Sequence, residues 1–150
     1  MDRKKLEDTF HRLSHPFPAL LIDRILETEP GKRIRTVKGV TANEFFLPGH
    51  FPGEPIMPGV MTLEGMIQSA LLLLDELHSR GKITASLEKV GRLKFKKPVV
   101  PGDRVEFQVQ LVSQDNPLHK FKGKALVGEG TAAEADFTIK ASIREVGFEL

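Results

Sequence analysis

The stretch from Pro48 to Leu74 constrains the fold of this 150-residue chain more than any other. Its first half is a loop in which prolines fix φ and glycines permit unusual backbone angles. Its second half has helical periodicity over about 20 residues, and Glu64 is its only ionisable side chain before Asp75. A helix that is apolar nearly all round must be buried on every side. The rest of the chain is therefore expected to surround it.

The flanking segments predict a short N-terminal helix and several strands. The helix is expected over Lys4–Leu13, and the buried helix is expected to end near residues 79–81, with Gly81 as its C-cap. Period-two patterns separated by turn residues predict strands at Ala19–Leu26, Arg33–Thr41, Ser86–Lys96, Arg104–Ser113, Lys120–Gly128 and Thr131–Glu145. Strands on both sides of one buried helix predict an α+β fold, a single domain over residues 1–150 with an antiparallel sheet curled around the helix.

Composition excludes several classes of protein. The chain has no cysteine, which excludes disulfides, thiol nucleophiles and Cys-ligated zinc and fits a reducing compartment. We therefore expect a cytoplasmic protein, and the absence of an apolar signal or spanning segment predicts no membrane association. The net charge of +2 is too small to predict a nucleic-acid partner, but it allows an acidic protein partner.

Two side chains in the central stretch suggest acid–base chemistry. His50 is held in the rigid loop, and an unperturbed imidazole is mostly neutral at cellular pH, with a ring nitrogen free to accept a proton. Glu64 follows on the apolar helix, where burial disfavours the anion and favours the proton-donating acid form. The alternatives are a structural loop histidine and a carboxyl group satisfied by packing partners. His11 and His15 are four residues apart but lack a third ligand, so no metal is expected.

The motif GHFPGEPIMPGVMTLEGMIQ, with HPFPALLIDRI upstream and LKFKKPVVPGDRV and EGTAAEADF downstream, resembles the FabZ type of (3R)-3-hydroxyacyl-acyl carrier protein dehydratase. The resemblance implies a hotdog fold and a reaction in type II fatty acid biosynthesis. It implies a homodimer with both active sites at the interface, and many members assemble further into a trimer of dimers. The partner is acyl carrier protein (ACP). No cofactor is implied, because phosphopantetheine arrives on the carrier-protein substrate.

The resemblance also assigns roles to matching residues. Dehydration needs a base, a donor to the thioester oxygen and an acid, which are implied to be His50, the backbone N–H of Gly59 and Glu64. A hydrogen bond from Gln68 could orient Glu64, or Gln68 could merely pack; Gly59 could instead permit tight helix packing. The acyl chain is expected to contact Phe51, Met61, Met66, Ile67 and Gln68.

Three details refine these expectations. The sister dehydratase that also isomerises the double bond usually carries Asp where this chain has Glu64, so dehydration without isomerisation is favoured. The family's N-terminal signature is altered to HPFP, which leaves the role of His15 open. The chain has no tyrosine, so a tyrosine gate is excluded.

A basic strand is the candidate docking surface for acidic ACP. Arg92, Lys94 and Lys96 alternate with Leu93 and Phe95, which predicts a cationic face opposite an inward apolar one. Lys97 and Arg104 are expected to extend the face. A solvated strand face is the alternative, and single-stranded nucleic acid is a weaker one.

Two other functions remain open at this point. A hotdog thioesterase could use Glu64 to activate water, although the histidine before the helix argues against it. A module that binds acyl groups or carrier protein without catalysis is the third possibility.

Overall fold

A computed structural model describes residues 3–12, 20–44, 56–77 and 81–145. The elements in chain order are α1 (Arg3–Arg12), β1 (Arg24–Glu29), β2 (Arg33–Gly39), α2 (Gly59–Leu77), β3 (Gly81–Phe95), β4 (Arg104–Asp115), β5 (Leu118–Val127) and β6 (Gly130–Glu145). The strands form one six-stranded antiparallel sheet in the order β1-β2-β4-β5-β6-β3. The predicted α+β architecture of a hotdog fold, one sheet and one long buried helix, is confirmed.

The sheet has an apolar inner face because buried and exposed side chains alternate along its central strands. β5 shows this alternation over most of its length, and in β4 Val105, Phe107 and Val109 point inward. Phe121 on β5 and Phe137 on β6 stack with ring centroids 5.6 Å apart. The inner face thus presents a continuous apolar surface to α2.

Two glycines allow α2 to lie close to this surface. The Phe107 ring occupies the space that a side chain at Gly65 of α2 would need. A Cβ on Gly123 of β5 would lie 2.8 Å from Sδ of Met66. Every residue from 65 to 75 on α2 is buried, which confirms the prediction from its composition. Thr36 of β2 meets the helix through a 2.8 Å hydrogen bond between its Oγ1 and a hydroxyl on α2.

Some predicted boundaries are wrong. The first strand begins at Arg24 rather than Ala19, and residues 13–19 lie outside the described part of the chain. Gly81 is not a C-cap but the first residue of β3, where it pairs with Glu145 of β6. Positive φ values at Gly31 (78°) and Gly102 (97°) do mark turns that the sequence predicted.

The expectation that Leu93 and Phe95 lie on the inward side of their strand is confirmed, although neither side chain is buried. Both lie opposite buried alanines of β6, on the side of the sheet that faces α2. They are nevertheless 40% and 52% exposed, because β3 is the last strand of the sheet. A long edge strand with exposed apolar side chains results.

Candidate active site

Glu64 and Gln68 lie one turn apart on α2, on a different face from the side chains that contact the sheet. Gln68 is fully buried, and its Oε1 accepts a 2.7 Å hydrogen bond from the backbone N–H of Leu21. Its Nε2 donates to Oε1 of Glu64 over a longer 3.4 Å. Gln68 therefore links Glu64 to the segment that precedes β1, and the two predicted residues lie in contact.

The Leu21 contact determines the orientation of the Gln68 amide. A backbone N–H can only donate, so the atom facing it must be the amide oxygen, and the amide nitrogen must face Glu64. Glu64 Oε1 is consequently an acceptor toward Gln68.

Gly59 begins α2 directly after Pro58, as predicted. The N–H groups of a helix's first turn have no acceptor within the helix and favour negative charge nearby. The missing side chain has a packing role as well, since a Cβ here would lie 2.5 Å from Cζ of Phe95. A cavity of about 420 Å³ adjoins this helix start, lined by Gly59, Thr62, Phe95, Lys96, Lys97 and Pro98 among others.

The residues predicted to contact the acyl chain differ in their burial and packing. Met61 is partly buried and packs against the core, and Ile67 is 4% exposed. Met66 is fully buried against Gly123 of β5, so it belongs to the core between helix and sheet. His50 and Phe51 lie outside the described residues, and their roles stay predictions.

Only some of the basic residues predicted to dock ACP lie at the same end of the sheet. Arg92, Lys94 and Lys96 share the β3 end of the sheet, but Arg104 starts β4, which two strands separate from β3. Lys96 forms a 3.1 Å ion pair with Glu134, and its hydrogen bond holds the pKa of that carboxyl below the usual range. Lys97 instead donates through Nζ to the carbonyl oxygen of Val127 at 2.9 Å.

A cavity of about 730 Å³ lies on the sheet rather than beside Glu64. Charged and amide side chains line much of it, among them Arg33, Arg35, Arg92, Gln108, Lys122, Lys124, Glu134 and Asp136. Of the predicted site residues that the structure describes, only Arg92 contributes. Among the residues that the structure describes, no three histidine or acidic side chains are grouped to bind a metal, and no helix is long and apolar enough to cross a membrane.

Sequence reasoning missed two contacts near the site. The backbone of Leu21 carries no signal in its residue type, so its bond to Gln68 could not be anticipated. Lys38 and Glu44 form a 3.1 Å ion pair just before the predicted histidine loop. The sequence shows a lysine at this position of a predicted strand. Alternation alone does not reveal that its side chain is buried, so the ion pair could not be predicted.

Comparison with known proteins defines the class to which this fold and site belong. A family model described as a FabA-like domain matches residues 13–136. The chain therefore belongs to the FabA-like family.

Individual relatives within this class are more specific. The chain is 42% identical over 136 residues to 3-hydroxyacyl-[acyl-carrier-protein] dehydratase FabZ of Erythrobacter litoralis, covering 89% of each chain. It is 45% identical over 125 residues to the protein of the same name from Desulforamulus reducens, covering 83% of this chain and 87% of the relative.

Solved structures support the fold. The dehydratase heterocomplex ApeI:P from Xenorhabdus doucetiae gives a TM-score of 0.74 at 14% identity, covering 89% of this chain and 90% of that one. A mutant of the phenylacetic acid degradation protein PaaI from Thermus thermophilus gives 0.60 at 16% identity, covering 81% and 91%. These two likenesses concern architecture, since both identities are low.

Proposed function

We propose that this chain is a (3R)-3-hydroxyacyl-ACP dehydratase that forms trans-2-enoyl-ACP in fatty acid biosynthesis. The observation that carries the proposal is Glu64, a carboxyl group on a buried helix whose neighbour Gln68 is oriented to donate to it. Membership of the FabA-like family and the similarity to FabZ dehydratases over most of the chain agree with this chemistry. We place the reaction in the cytoplasm, as the cysteine-free composition predicts.

The elimination uses three groups in order along the chain. His50 removes the proton from the carbon next to the thioester carbonyl, and the electron pair moves toward the carbonyl oxygen. The N–H of Gly59, at the start of α2, stabilises the charge on that oxygen. Glu64 gives its proton to the 3-hydroxyl, the C–O bond breaks, and water leaves as the double bond forms. No cofactor takes part, because phosphopantetheine arrives on the ACP substrate.

We assign a homodimer with active sites at the interface, and assembly into a trimer of dimers would build on it. The support is β3, which ends the described sheet and leaves Leu87, Leu93 and Phe95 at 40% exposure or more. An edge strand of this kind can pair with the same strand of a second copy. Phe95 also contacts Gly59, so such an interface would adjoin the start of α2.

ACP docking is assigned to the basic side chains of the β3 end. Lys96 and Lys97 line the cavity beside Gly59, so a cationic surface lies next to the proposed oxyanion donor. Acidic ACP and the phosphate of its prosthetic group would be attracted there. Arg92 and Lys94 extend this surface along the strand, whereas Arg104 lies on a different strand.

The function is tested by following a crotonyl thioester in the ultraviolet while free thiol is measured in parallel. A dehydratase catalyses the reverse hydration, so enoyl absorbance falls and no thiol appears. Release of thiol would identify a thioesterase instead. Failure of both signals with an ACP-linked substrate would leave binding without catalysis.

The residue roles are tested by His50→Ala and Glu64→Gln. Each is expected to lower kcat by at least about a hundredfold without unfolding the protein, the usual scale of acid–base catalysis. Mixed dimers of the two variants should recover one working site if the two groups come from different subunits. Near-normal turnover in either single variant would contradict the assigned role.

A further inference from the structure

The outer face of the sheet, which is turned away from α2, carries two matching rows of polar side chains. The rows consist of register partners on β2, β4 and β5: Arg35, Gln108 and Lys124 in one, and Arg33, Gln110 and Lys122 in the other. Residues between the rows, such as Ile34 and Val109, are buried on the inner face. Each row therefore presents a guanidinium, an amide and an ammonium group to the outside.

These two rows line the cavity of about 730 Å³ on the sheet. Its volume falls within the range of small-molecule sites, about 300–1,000 Å³. Because neighbouring strands lie about 4.8 Å apart, the arginines of β2 and the lysines of β5 start about 10 Å apart, with the glutamines between them. The cavity is on the opposite side of the sheet from α2, so a molecule bound there does not contact Glu64.

The arginines of the cavity are held in place by carboxylates. Nε and Nη2 of Arg35 donate to the two carboxylate oxygens of Glu106 at 3.0 and 2.9 Å, and Nη1 donates to Glu27 at 2.8 Å. Nε of Arg33 is 3.1 Å from Oε2 of Glu29. Both guanidinium groups are thus positioned before a ligand arrives, which lowers the entropy lost on binding.

The lysines on the other side of the cavity are not engaged in this way. Within the described segments, neither Lys122 nor Lys124 forms an ion pair or a side-chain hydrogen bond. Their register partners on β6 are Asp136 and Glu134, and Glu134 is instead paired with Lys96 at 3.1 Å. Both ammonium groups are therefore available to a ligand.

The charge of this face favours an anion. An adjoining cavity of about 260 Å³ adds Lys89 and Lys120 to the lining. Together the two cavities are lined by seven basic and three acidic side chains, an excess larger than the net charge of +2 of the whole chain. The exposed lysines of β5 also follow one another at every second residue, so their like charges repel. A bound anion would offset this repulsion.

We propose that the 730 Å³ cavity is a second ligand site, for a small organic molecule with two phosphate groups and hydroxyl groups between them. One phosphate is bound by the two lysines, and the other by N–H groups that the two arginines leave unused in their ion pairs. Gln108 donates through Nε2 to Glu106 at 2.6 Å, which leaves its amide oxygen to accept from a ligand hydroxyl. The site does not depend on the proposed dehydratase function.

The ligand class is tested by isothermal titration calorimetry of the full chain. Fructose 1,6-bisphosphate and adenosine 3′,5′-bisphosphate are the probes, and fructose 6-phosphate is the matched probe with one phosphate. A bisphosphate should bind at least about tenfold more tightly than the monophosphate, because only it adds charge-assisted bonds on both sides of the cavity. Its affinity should fall as salt is raised. Equal affinities, or no binding of either bisphosphate, would overturn the proposal.

The location is tested by two double variants with the same change in charge. Lys122→Gln/Lys124→Gln removes the lysine side of the cavity, and Lys4→Gln/Lys140→Gln removes two exposed lysines that line neither cavity. The first should lose at least about tenfold in bisphosphate affinity and most of the Tm increase that the bisphosphate causes. The control should stay within about twofold of wild type. Equal losses in the two variants would show attraction by net charge alone and overturn the site.

Other occupants of this face give different results. Tighter binding of phosphatidylglycerol vesicles or of a single-stranded oligonucleotide than of either bisphosphate would overturn the proposal in favour of a membrane or nucleic-acid surface. Sedimentation velocity of Lys122→Gln/Lys124→Gln tests contact between copies of the chain. An unchanged assembly with weakened bisphosphate binding supports the ligand site, whereas a smaller assembly would identify the face as an interface and overturn it.

Discussion

Gln68 contributes to both stability and catalysis, and two substitutions of this residue separate the two contributions. Gln68→Met removes both the acceptor for the Leu21 N–H and the donor to Glu64. Gln68→Glu keeps an acceptor of the same shape for Leu21 but places a carboxylate oxygen where the donor was. The two variants should therefore differ in stability yet share a defect in catalysis.

The size of the stability effect follows from the burial of the contact. Gln68 has no exposed surface, so Gln68→Met leaves the Leu21 N–H buried without the acceptor that it has at 2.7 Å. An unsatisfied buried donor costs about 1–3 kcal/mol. For a chain of this length that corresponds to a fall in Tm of about 2–12 °C. Gln68→Glu keeps this bond, so the part of the fall that comes from the unsatisfied Leu21 N–H should be avoided.

The catalytic effect has a different origin. Gln68→Met has no donor for Oε1 of Glu64, and the carboxylate of Gln68→Glu has none either, so this contact no longer orients the Glu64 carboxyl group. We expect kcat to fall about tenfold to a hundredfold in each, with a smaller change in KM. Calorimetry and steady-state hydration of an enoyl thioester measure the two effects. If kcat fell only in Gln68→Met and in proportion to its Tm, Gln68 would be a packing residue and the orientation argument would be refuted.

Three further changes test other contacts. Gly59→Ala places a Cβ 2.5 Å from Cζ of Phe95, so overpacking should cost about 1–3 kcal/mol by thermal unfolding, and adding Phe95→Ala should recover part of it. Glu106→Gln tests the pH dependence of stability: the hydrogen bond from Arg35 lowers the pKa of Glu106, so its contribution is present above the ordinary carboxyl pKa and is lost as pH falls through the lowered value. Wild type should therefore exceed the variant in stability near neutral pH, by up to about 1 kcal/mol for this partly exposed pair, and match it at a pH below the lowered value. Leu93→Glu on the edge of β3 should shift the dimer toward monomer in sedimentation analysis.

Each of these changes has a result that would contradict it. An unchanged Tm in Gly59→Ala would show that the Phe95 ring moves at no cost. A Glu106→Gln difference that persisted at low pH would point to lost packing rather than lost charge. Val112→Glu is the control for the interface, because Val112 is 55% exposed on β4 rather than on β3. Dissociation by both substitutions, or by neither, would argue against β3 as the contact surface.

The sequence predicted the central helix well because a single physical property defines it. Composition alone required burial on all sides, and residues 65–75 are buried as expected. The six strands were also recovered, since alternation in β5 survives almost unbroken in the structure. Turn glycines with positive φ, such as Gly102, marked where strands end.

The errors arose where pairing or edge position decided the outcome. Gly81 has the residue type of a helix cap, but pairing with β6 draws it into a strand. Leu93 and Phe95 alternate like core residues, yet their exposure depends on β3 being the last strand, which local pattern cannot reveal. The sheet order depends on contacts between distant segments, and no periodicity encodes it.

The sequence predicted the residue types of the candidate site but not the contacts that hold them in place. Glu64 was identifiable because it is the lone carboxyl in an otherwise apolar helical stretch. The tethering of Gln68 by a backbone N–H, and the packing of Phe95 on Gly59, are relations across the fold that no spacing predicts. The assignment of His50 still depends on the motif alone, since that residue lies outside the described segments.

The proposed reaction is the removal of water from a 3-hydroxyacyl group on ACP, with Glu64 as the acid. The most direct measurement is intact-mass spectrometry of (3R)-3-hydroxyacyl-ACP incubated with wild type and with Glu64→Gln. Wild type should yield an ACP species lighter by one water that still carries its acyl chain, whereas Glu64→Gln should yield almost none at matched times. Free holo-ACP as the product, or equal dehydration by both proteins, would contradict it.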